Sequence, residues 1–425
     1  MPHDLDPSLQ NGLAGYYFLV ALLNFGFAAY YVWGNKKPNL AALWGVVGGL
    51  FLLHFVLYAL HHGPTLPAKG RAAVDFLMGP VTYSALSLVA FVLFLVFRRF
   101  FVNPQVAWAV LNLSLLAAGW AMTDPEFQKI LTKPDNVPIP MLIYSVGFFT
   151  WAAMYRAVQN DDRIARGEPV LEKLDDEKVL VWPDLVYTEL IAMVLATFVL
   201  VIWAVLLKAP LEQPATSAKA PNPSKAPWYF LGLQEMLVYY DPWMAGVVLP
   251  TMIIVGLVAL PYIDFNRAGN GYFSFHERKF AVTIFMFGFI VLWVTLIVLG
   301  TFLRGPNWNF FGPFEYWDAH KVVPLNNINV SQIFWLQWLG QPLEGMNPVV
   351  REAPGLILVA LYLFALPPLL ARTVLRPFFI KMGFVRFIVL VTLIQFMAAL
   401  PIKMVLRWTM NLKYIVAIPE IFFNI

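Results

Sequence analysis

The sequence predicts an all-α, polytopic integral membrane protein with about ten transmembrane helices and additional surface helices on its outer face. Of the 425 residues, 60% are hydrophobic and only 13% are charged, whereas a soluble domain carries about 25% charged residues. Cysteine is absent, which excludes disulfides, iron–sulfur ligation and covalent c-type haem attachment within this chain. The net charge of +4 is small and dispersed, so no nucleic-acid partner is expected.

Ten apolar runs are long enough to cross a bilayer, which takes roughly 17–25 residues per helix. The N-terminal segment lacks the basic flank of a cleavable signal peptide, so the first run is expected to remain in the protein. Lys36 and Lys37 end the first run, and Arg98 and Arg99 end the third. Basic residues concentrate on the cytoplasmic side, which predicts that the N-terminus lies outside. The predicted spans are 14–33, 41–61, 78–97, 105–121, 139–155, 185–207, 243–262, 280–302, 355–371 and 386–406.

Three segments between or after these runs are too polar or too broken to span. Arg156–Asp184 is a charged inner connector and the best predicted boundary between two halves. Arg304–Pro354 is a long outer loop whose aromatic content predicts an ordered cap, because disordered linkers are poor in aromatic residues. Arg407–Ile425 is predicted to be an outer interfacial segment. We therefore divide the chain into 1–179, an N-terminal membrane region of about five helices, 180–320, a C-terminal membrane domain, and 321–425, the outer loop with two further spans and the tail.

The proline-rich stretch Pro221–Asp241 predicts a short aromatic helix on the outer face. Pro227 suits the first helical position and Ser224 an N-cap. At about 100° per residue the helix has two stripes. The first holds Trp228, Gly232, Glu235 and Tyr239, and the second holds Tyr229, Leu233, Met236 and Tyr240. Such a helix provides a stacking surface for a flat ring, a gap at Gly232 and, beside the gap, the carboxylate of Glu235. The alternative is an interfacial helix anchored by Trp and Tyr.

The number and spacing of the histidines indicate whether this chain can ligate b-type haems. The chain has His3, His54, His61, His62, His276 and His320. Two bis-histidine haems need two pairs of ligands on facing helices. His54 and His61 are seven positions apart and the other spans hold none, so this chain alone cannot supply both sites. His54 lies within a span, where it either contacts a haem or is a packed, hydrogen-bonded residue.

Other ionisable residues give weaker signals. Glu189 lies one turn into the sixth run, where it is either a proton-entry group or a carboxylate favoured by the helix dipole. No phosphate-binding glycine loop, metalloprotease helix or nucleophile elbow occurs in the sequence, and no metal site is expected.

The segment Ala226–Phe230, APWYF, resembles the PEWY motif in the C-terminal half of cytochrome b, the part found as subunit IV in photosynthetic bf-type complexes. Its surroundings match in order: a WPD turn at Trp182–Asp184, LPYID at Leu260–Asp264 and a basic loop beyond. The stretch Phe302–Asp318 is similar to extended forms of this domain in bacterial bc-type complexes. The resemblance covers about 180–320 and is weak or absent over 1–175.

The resemblance implies a quinol-oxidation site on the outer face. The family's PEWY glutamate, which accepts a proton from bound quinol, aligns with Pro227, so only Trp228 and Tyr229 carry over. We expect Glu235, two turns on, to accept that proton, because a carboxylate in a partly dry pocket suits a proton relay. Asp241 is the fallback acceptor. The expected quinone-binding residues are Pro227, Trp228, Tyr229, Gly232, Leu233 and Tyr239, and the expected proton path adds Asp241 and Glu189.

The resemblance also implies a division of labour within a dimeric respiratory quinol:cytochrome c oxidoreductase of the bacterial cytoplasmic membrane. This chain would bind menaquinol or ubiquinol in a lipid environment. A cytochrome b N-terminal-type subunit would hold the b haems, and a Rieske or other high-potential carrier and a c-type cytochrome would dock outside. One alternative is a quinol-binding anchor of another respiratory complex. A transporter is the second, but the mid-span regions are almost free of charge, which argues against it.

Overall fold

The structure, a computed structural model, describes residues 5–134, 136–175, 177–206, 214–266 and 271–425. His3 and position 207, the predicted end of the sixth run, lie outside these residues. Within them, helices dominate; the strands form one antiparallel pair, Ala417–Ile418 with Phe423–Asn424, and two isolated bridges join Arg304 with Phe310 and Ile328 with Leu412. The all-α prediction is therefore confirmed.

Eight helices among the described residues are long and apolar enough to cross a membrane. They are Pro7–Trp33, Pro38–Ala59, Pro138–Ala165, Val181–Leu206, Met244–Ile263, Phe275–Phe302, Ala353–Arg372 and Arg376–Met410. Two bent pairs raise the number to ten if each pair is one span: Ala68–Leu77 with Pro80–Val96, bent by 76°, and Pro104–Ala121 with Pro125–Leu131, bent by 111°. The ten correspond in order to the ten predicted runs, and they are numbered below as the first to tenth spans.

Several helices start at an acidic or amide residue followed by proline. Asp6 accepts a hydrogen bond from the Ser8 backbone N–H, and Asn103 accepts one from Gln105. Proline then fits the first turn because it has no N–H to leave unpaired. The same signal explains the sharp bend in the fourth span, where Asp124 accepts from two backbone N–H groups and starts a new helix at Pro125.

Shorter helices lie between the spans. They are Arg98–Phe101, Leu171–Leu174, Trp228–Met236, Pro306–Trp308, Gln332–Trp338, Pro348–Arg351 and Pro419–Ile421. Within the sixth, seventh, eighth and ninth spans, π-helical turns occur at Val181–Leu185, Met244–Val248, Phe287–Val294 and Leu361–Ala365. The tenth span is interrupted at Gly383, whose φ of 74° is one that side chains other than glycine rarely adopt.

The chain forms two compact units that interleave along the sequence. The first comprises Met1–Thr82, Val96–Tyr155 and Phe311–Trp317, and the second comprises Tyr83–Leu95, Arg156–Phe310 and Asp318–Ile425. The division at 179 and 320 made from the sequence stays a prediction. The connector after Arg156 is packed within the second unit: the buried Asn160 amide donates to Glu172 and to the Phe273 carbonyl, and Asp161 accepts from the Ser274 hydroxyl.

Neutral polar groups link the first, second and fourth spans of the first unit. The Asn24 amide donates to Asn112 Oδ1 at 2.6 Å, and the Trp108 indole donates to Asn24 Oδ1 at 2.9 Å. The Trp44 indole likewise donates to Gln105 Oε1 at 2.6 Å. Buried polar groups in a membrane must find partners within the protein, and amide–indole pairs provide them here without any net charge.

Candidate functional site

The short helix Trp228–Met236, called the Glu235 helix below, lies between the sixth and seventh spans. Pro227 precedes its first residue rather than occupying it, and the prediction that Ser224 caps it through its side chain is wrong. The cap comes from Gln234 instead. Its Oε1 accepts from the Ala226 N–H and its Nε2 donates to the Ser224 carbonyl, both at 2.8 Å. A side chain two turns into the helix thereby fixes the incoming chain.

One face of the Glu235 helix is buried against the eighth span. Leu231, Gly232, Glu235 and Met236 are buried. A Cβ placed on Gly232 would lie 3.3 Å from the Trp293 ring. The gap predicted at Gly232 is therefore filled by Trp293, because the missing side chain lets a neighbouring helix approach. Gly300 of the eighth span likewise permits the close approach: a Cβ placed on it would lie 3.1 Å from the Leu231 carbonyl oxygen of the Glu235 helix.

Glu235 is the centre of a buried ion pair. It is 0% exposed, and Arg304 binds it through two hydrogen bonds, from Nη2 to Oε1 at 2.7 Å and from Nε to Oε2 at 2.9 Å. The Tyr239 hydroxyl donates to Oε1 and the Trp308 indole to Oε2, each at 3.2 Å. Each carboxylate oxygen of Glu235 thus accepts two hydrogen bonds. Such bidentate, charge-assisted pairs offset the cost of burying the two charges.

Arg304 is the partner that the sequence reasoning missed. It was assigned only as the first residue of the outer loop, although it follows the last turn of the eighth span. Its guanidinium also donates to the Trp308 carbonyl and stacks 3.6 Å from the Phe310 ring centroid. The signal that could have found it is physical: a carboxylate in a largely apolar segment needs a cation nearby, and Arg304 ends the neighbouring span.

The other face of the Glu235 helix is open. Tyr229 and Phe230 are each 51% exposed, Leu237 and Pro227 are exposed, and Trp228 and Leu233 are partly exposed. The Tyr229 ring lies 4.7 Å from Phe230 and 5.6 Å from Trp228, centroid to centroid. Four of the predicted quinone-binding residues therefore lie on or beside the open face: Pro227, Trp228, Tyr229 and Leu233. Gly232 lies on the buried face, and Tyr239 is buried just beyond the end of the helix.

Asp241 sits just beyond the helix, beside the C-terminal tail. Its Oδ1 accepts from the Tyr414 hydroxyl at 3.0 Å and from the Asn424 amide at 3.4 Å. Burial and the adjacent Asp241 carboxylate raise the pKa of Tyr414 to about 12, so its hydroxyl stays protonated and donating at neutral pH. Burial likewise raises the pKa of Tyr239. Asp241 is partly exposed, and within the described part of the chain no cation pairs with it.

The remaining predicted residues lie apart from this network. Glu189 is exposed on the sixth span and has no ion-pair partner among the residues that the structure describes. His54 belongs to the first unit, where Nδ1 faces the Leu50 carbonyl at 2.9 Å and Nε2 accepts from the Trp120 indole at 3.3 Å. This is the arrangement that the hydrogen-bonded alternative for His54 predicts. Over the described ranges, no three His, Asp or Glu side chains are grouped as metal ligands would be.

Comparison with known proteins finds one family match, over a segment that lies almost entirely in the second unit. Residues 214–312 match the family described as cytochrome b(C-terminal)/b6/petD. The matched segment contains the Glu235 helix, the seventh and eighth spans and Arg304, and it lies inside the range in which the resemblance was seen. It is consistent with a C-terminal cytochrome b or subunit IV-like domain, and suggests a membrane subunit of a cytochrome b-containing quinol oxidoreductase. No curated protein and no solved structure matches the chain.

Proposed function

We propose, from the match over residues 214–312, that the chain forms one wall of the quinol-oxidation site of a bc-type quinol:cytochrome c oxidoreductase. The observation that carries this proposal is the open aromatic face of the Glu235 helix, built from Trp228, Tyr229 and Phe230. A surface-exposed set of rings at a membrane interface provides stacking area for a flat ring and apolar area for its isoprenoid chain.

The buried face of the helix has a different role in this proposal. Glu235 and Arg304 hold the helix against the eighth span, so the open face keeps a fixed orientation. Because four hydrogen bonds fill both oxygens of Glu235, it accepts a proton from quinol only when Arg304 moves away. Asp241 accepts two side-chain hydrogen bonds, both on Oδ1, against four on Glu235, and it is partly exposed. The geometry therefore favours the fallback acceptor, Asp241, over Glu235.

The reaction divides between this chain and its partners. Oxidation of quinol to quinone breaks two O–H bonds; the two protons leave one after the other through a carboxylate of this chain, and the two electrons leave to carriers outside it. Those carriers are b haems in a cytochrome b N-terminal-type subunit and a Rieske or other high-potential carrier that serves a c-type cytochrome. The complex is dimeric and lies in a bacterial cytoplasmic membrane, and its substrate is menaquinol or ubiquinol. Glu189, near the start of the sixth span, is the proposed proton-entry group.

Replacing Tyr229 with Ala tests the open face. We expect the KM for quinol in the purified complex to rise about 2- to 10-fold, the range of one lost aromatic contact, with kcat changed less. Tyr30→Ala is the matched control, because Tyr30 is 54% exposed and also flanked by aromatic rings. Equal effects of the two variants, or none, would count against the proposed wall.

A second pair of variants assigns the proton acceptor. Asp241→Asn is expected to lower kcat by about 10²-fold or more, the contribution typical of a general base, and to leave quinone binding intact. Glu235→Gln is expected to reduce stability more than it reduces the rate per assembled complex. The reverse pattern would return the acceptor role to Glu235.

Haem spectra of the same preparations distinguish the two kinds of complex. Two b haems that copurify with the chain indicate a bc-type complex, and their absence indicates a quinol-binding anchor of another enzyme.

A further inference from the structure

The segment Arg372–Arg386 concentrates positive charge. It runs from the end of the ninth span through the first turns of the tenth span and is called the turn below. Four basic side chains lie within it or at its edges, and all four are exposed. They are Arg372, Arg376, Lys381 and Arg386. The sequence has no acidic residue from Ala353 to Pro419, and no carboxylate in the described part of the chain forms an ion pair with any of the four.

Large apolar side chains alternate with these cations. Val374, Ile380, Phe384 and Val385 are among the most exposed hydrophobic residues of the structure. Exposed apolar groups next to basic groups at the end of two spans are typical of a segment at the headgroup level of a bilayer. The apolar groups reach the acyl chains there and the cations stay near the phosphates.

Packing fixes the shape of this turn. Gly383 interrupts the helix with its φ of 74°, which separates the first turns of the tenth span from the rest. The Phe378 ring lies 4.4 Å from Phe280 and 5.8 Å from Phe265, centroid to centroid. On the far side of the break, Phe387 is buried against Phe379. The basic side chains therefore project from a scaffold that is held on both sides of the glycine.

Two acidic residues close in sequence to Phe265 and Phe280, the rings that pack on Phe378, have partners of their own. Asp264, next to Phe265, is bound by Arg278 through two hydrogen bonds, at 2.6 and 3.0 Å. Glu277 accepts from the Tyr272 hydroxyl at 2.7 Å. Lys381 lies over the Phe265 ring, with Nζ 5.4 Å from its centroid. The excess positive charge of the turn is thus left for a ligand from outside the chain.

We propose that this turn binds the phosphate headgroups of anionic phospholipids, with Arg372, Arg376, Lys381 and Arg386 as the binding residues. Basic clusters next to a membrane span attract anionic lipid headgroups. The exposed apolar side chains between the cations favour a lipid over a free phosphate, because only the lipid also covers them. The inference does not depend on quinol oxidation.

The test uses the purified full-length complex in neutral detergent after delipidation. Binding of phosphatidylglycerol is measured by titration and compared with phosphatidylcholine and with inorganic phosphate. In the fourfold variant R372Q/R376Q/K381Q/R386Q, the affinity for phosphatidylglycerol is expected to fall about fivefold for each charge removed. A matched control, K36Q/K37Q/K173Q/K178Q, removes four exposed charges elsewhere and is expected to bind as the wild type does.

Salt gives an independent readout if the fourfold variant fails to fold. In the wild type, raising the ionic strength is expected to release phosphatidylglycerol, since screening weakens exposed charge contacts. Three results would overturn the proposal: unchanged binding in the fourfold variant, an equal loss in the control variant, or displacement of the lipid by millimolar inorganic phosphate. Lipid retention that is insensitive to salt would do the same.

Discussion

The side-chain pairs in which both members are buried differ in charge between the two units. In the first unit, the linked groups are neutral amides and indoles, with Asn24, Asn112 and Trp108 joined across the first and fourth spans. In the second unit, the central pair is charged, with Glu235 and Arg304 each nearly or fully buried. Removing one member of the neutral network leaves an unpaired amide, which costs about 1–3 kcal/mol. A buried ion pair leaves an uncompensated charge behind.

This difference bears on function. Neutral groups such as Asn24 and Asn112 neither gain nor lose protons at physiological pH, and in the first unit they link helices. The second unit holds three ionisable side chains at or near the Glu235 helix: Glu235 on its buried face, Asp241 just beyond its end, and Tyr414, whose hydroxyl donates to Asp241. Buried, paired ionisable groups occur both at functional sites and in structural networks. Both proposed proton acceptors, Glu235 and Asp241, belong to the second unit.

Breaking the charged pair is expected to have the largest effect. Arg304→Met leaves Glu235 buried without its cation, which should lower the free energy of unfolding by about 3–5 kcal/mol. The measurement is denaturant unfolding of the purified protein in detergent, followed by circular dichroism.

The matched control is the double variant E235L/R304M, which removes both charges and should recover most of the loss, because a buried pair replaced by apolar groups is often close to neutral. If Arg304→Met costs no more than the double variant, the ion pair is not buried as described, and the contrast between the units fails.

A double-mutant cycle on the neutral network sharpens the same contrast. Asn24→Leu, Asn112→Leu and the double variant should give a coupling energy of about 0.6 kcal/mol, and not above roughly 1.7, as for hydrogen bonds between membrane helices. Unfolding is measured as for Arg304. A coupling as large as that of Glu235 with Arg304 would show that the first unit also depends on a buried polar core.

The spans could be predicted from the sequence because length and hydropathy alone determine which segments can cross a bilayer. The ten runs correspond to the ten helices or bent pairs. Bending was not predicted, since it depends on local caps such as Asp124 rather than on hydropathy. The stripe of Trp228, Gly232, Glu235 and Tyr239 was found by periodicity, yet periodicity does not say which stripe faces a neighbouring span. That choice depends on Trp293 and Arg304, which are distant in sequence.

The smallest expected effect concerns a more exposed pair at the other end of the seventh span. Arg278 donates to both oxygens of Asp264 and holds the pKa of that carboxyl below its usual value. A depressed pKa stabilises the fold above the unfolded-state value of about 4, and this contribution is lost as the pH falls through the folded-state value.

Asp264→Asn should therefore cost about 1 kcal/mol or less at pH 7, because partly exposed pairs are screened by water, and its cost should shrink as the unfolding buffer is acidified. Unfolding of wild type and variant between neutral and acidic pH measures this, with Arg278→Gln as the background in which Asp264→Asn should have little effect. A cost that grows in acid would mean that the Asp264 carboxyl is stabilised in its protonated form. A cost as large as that of Arg304→Met would mean that burial does not distinguish the two ion pairs, and the special position of Glu235 would then have to rest on its place in the matched segment alone.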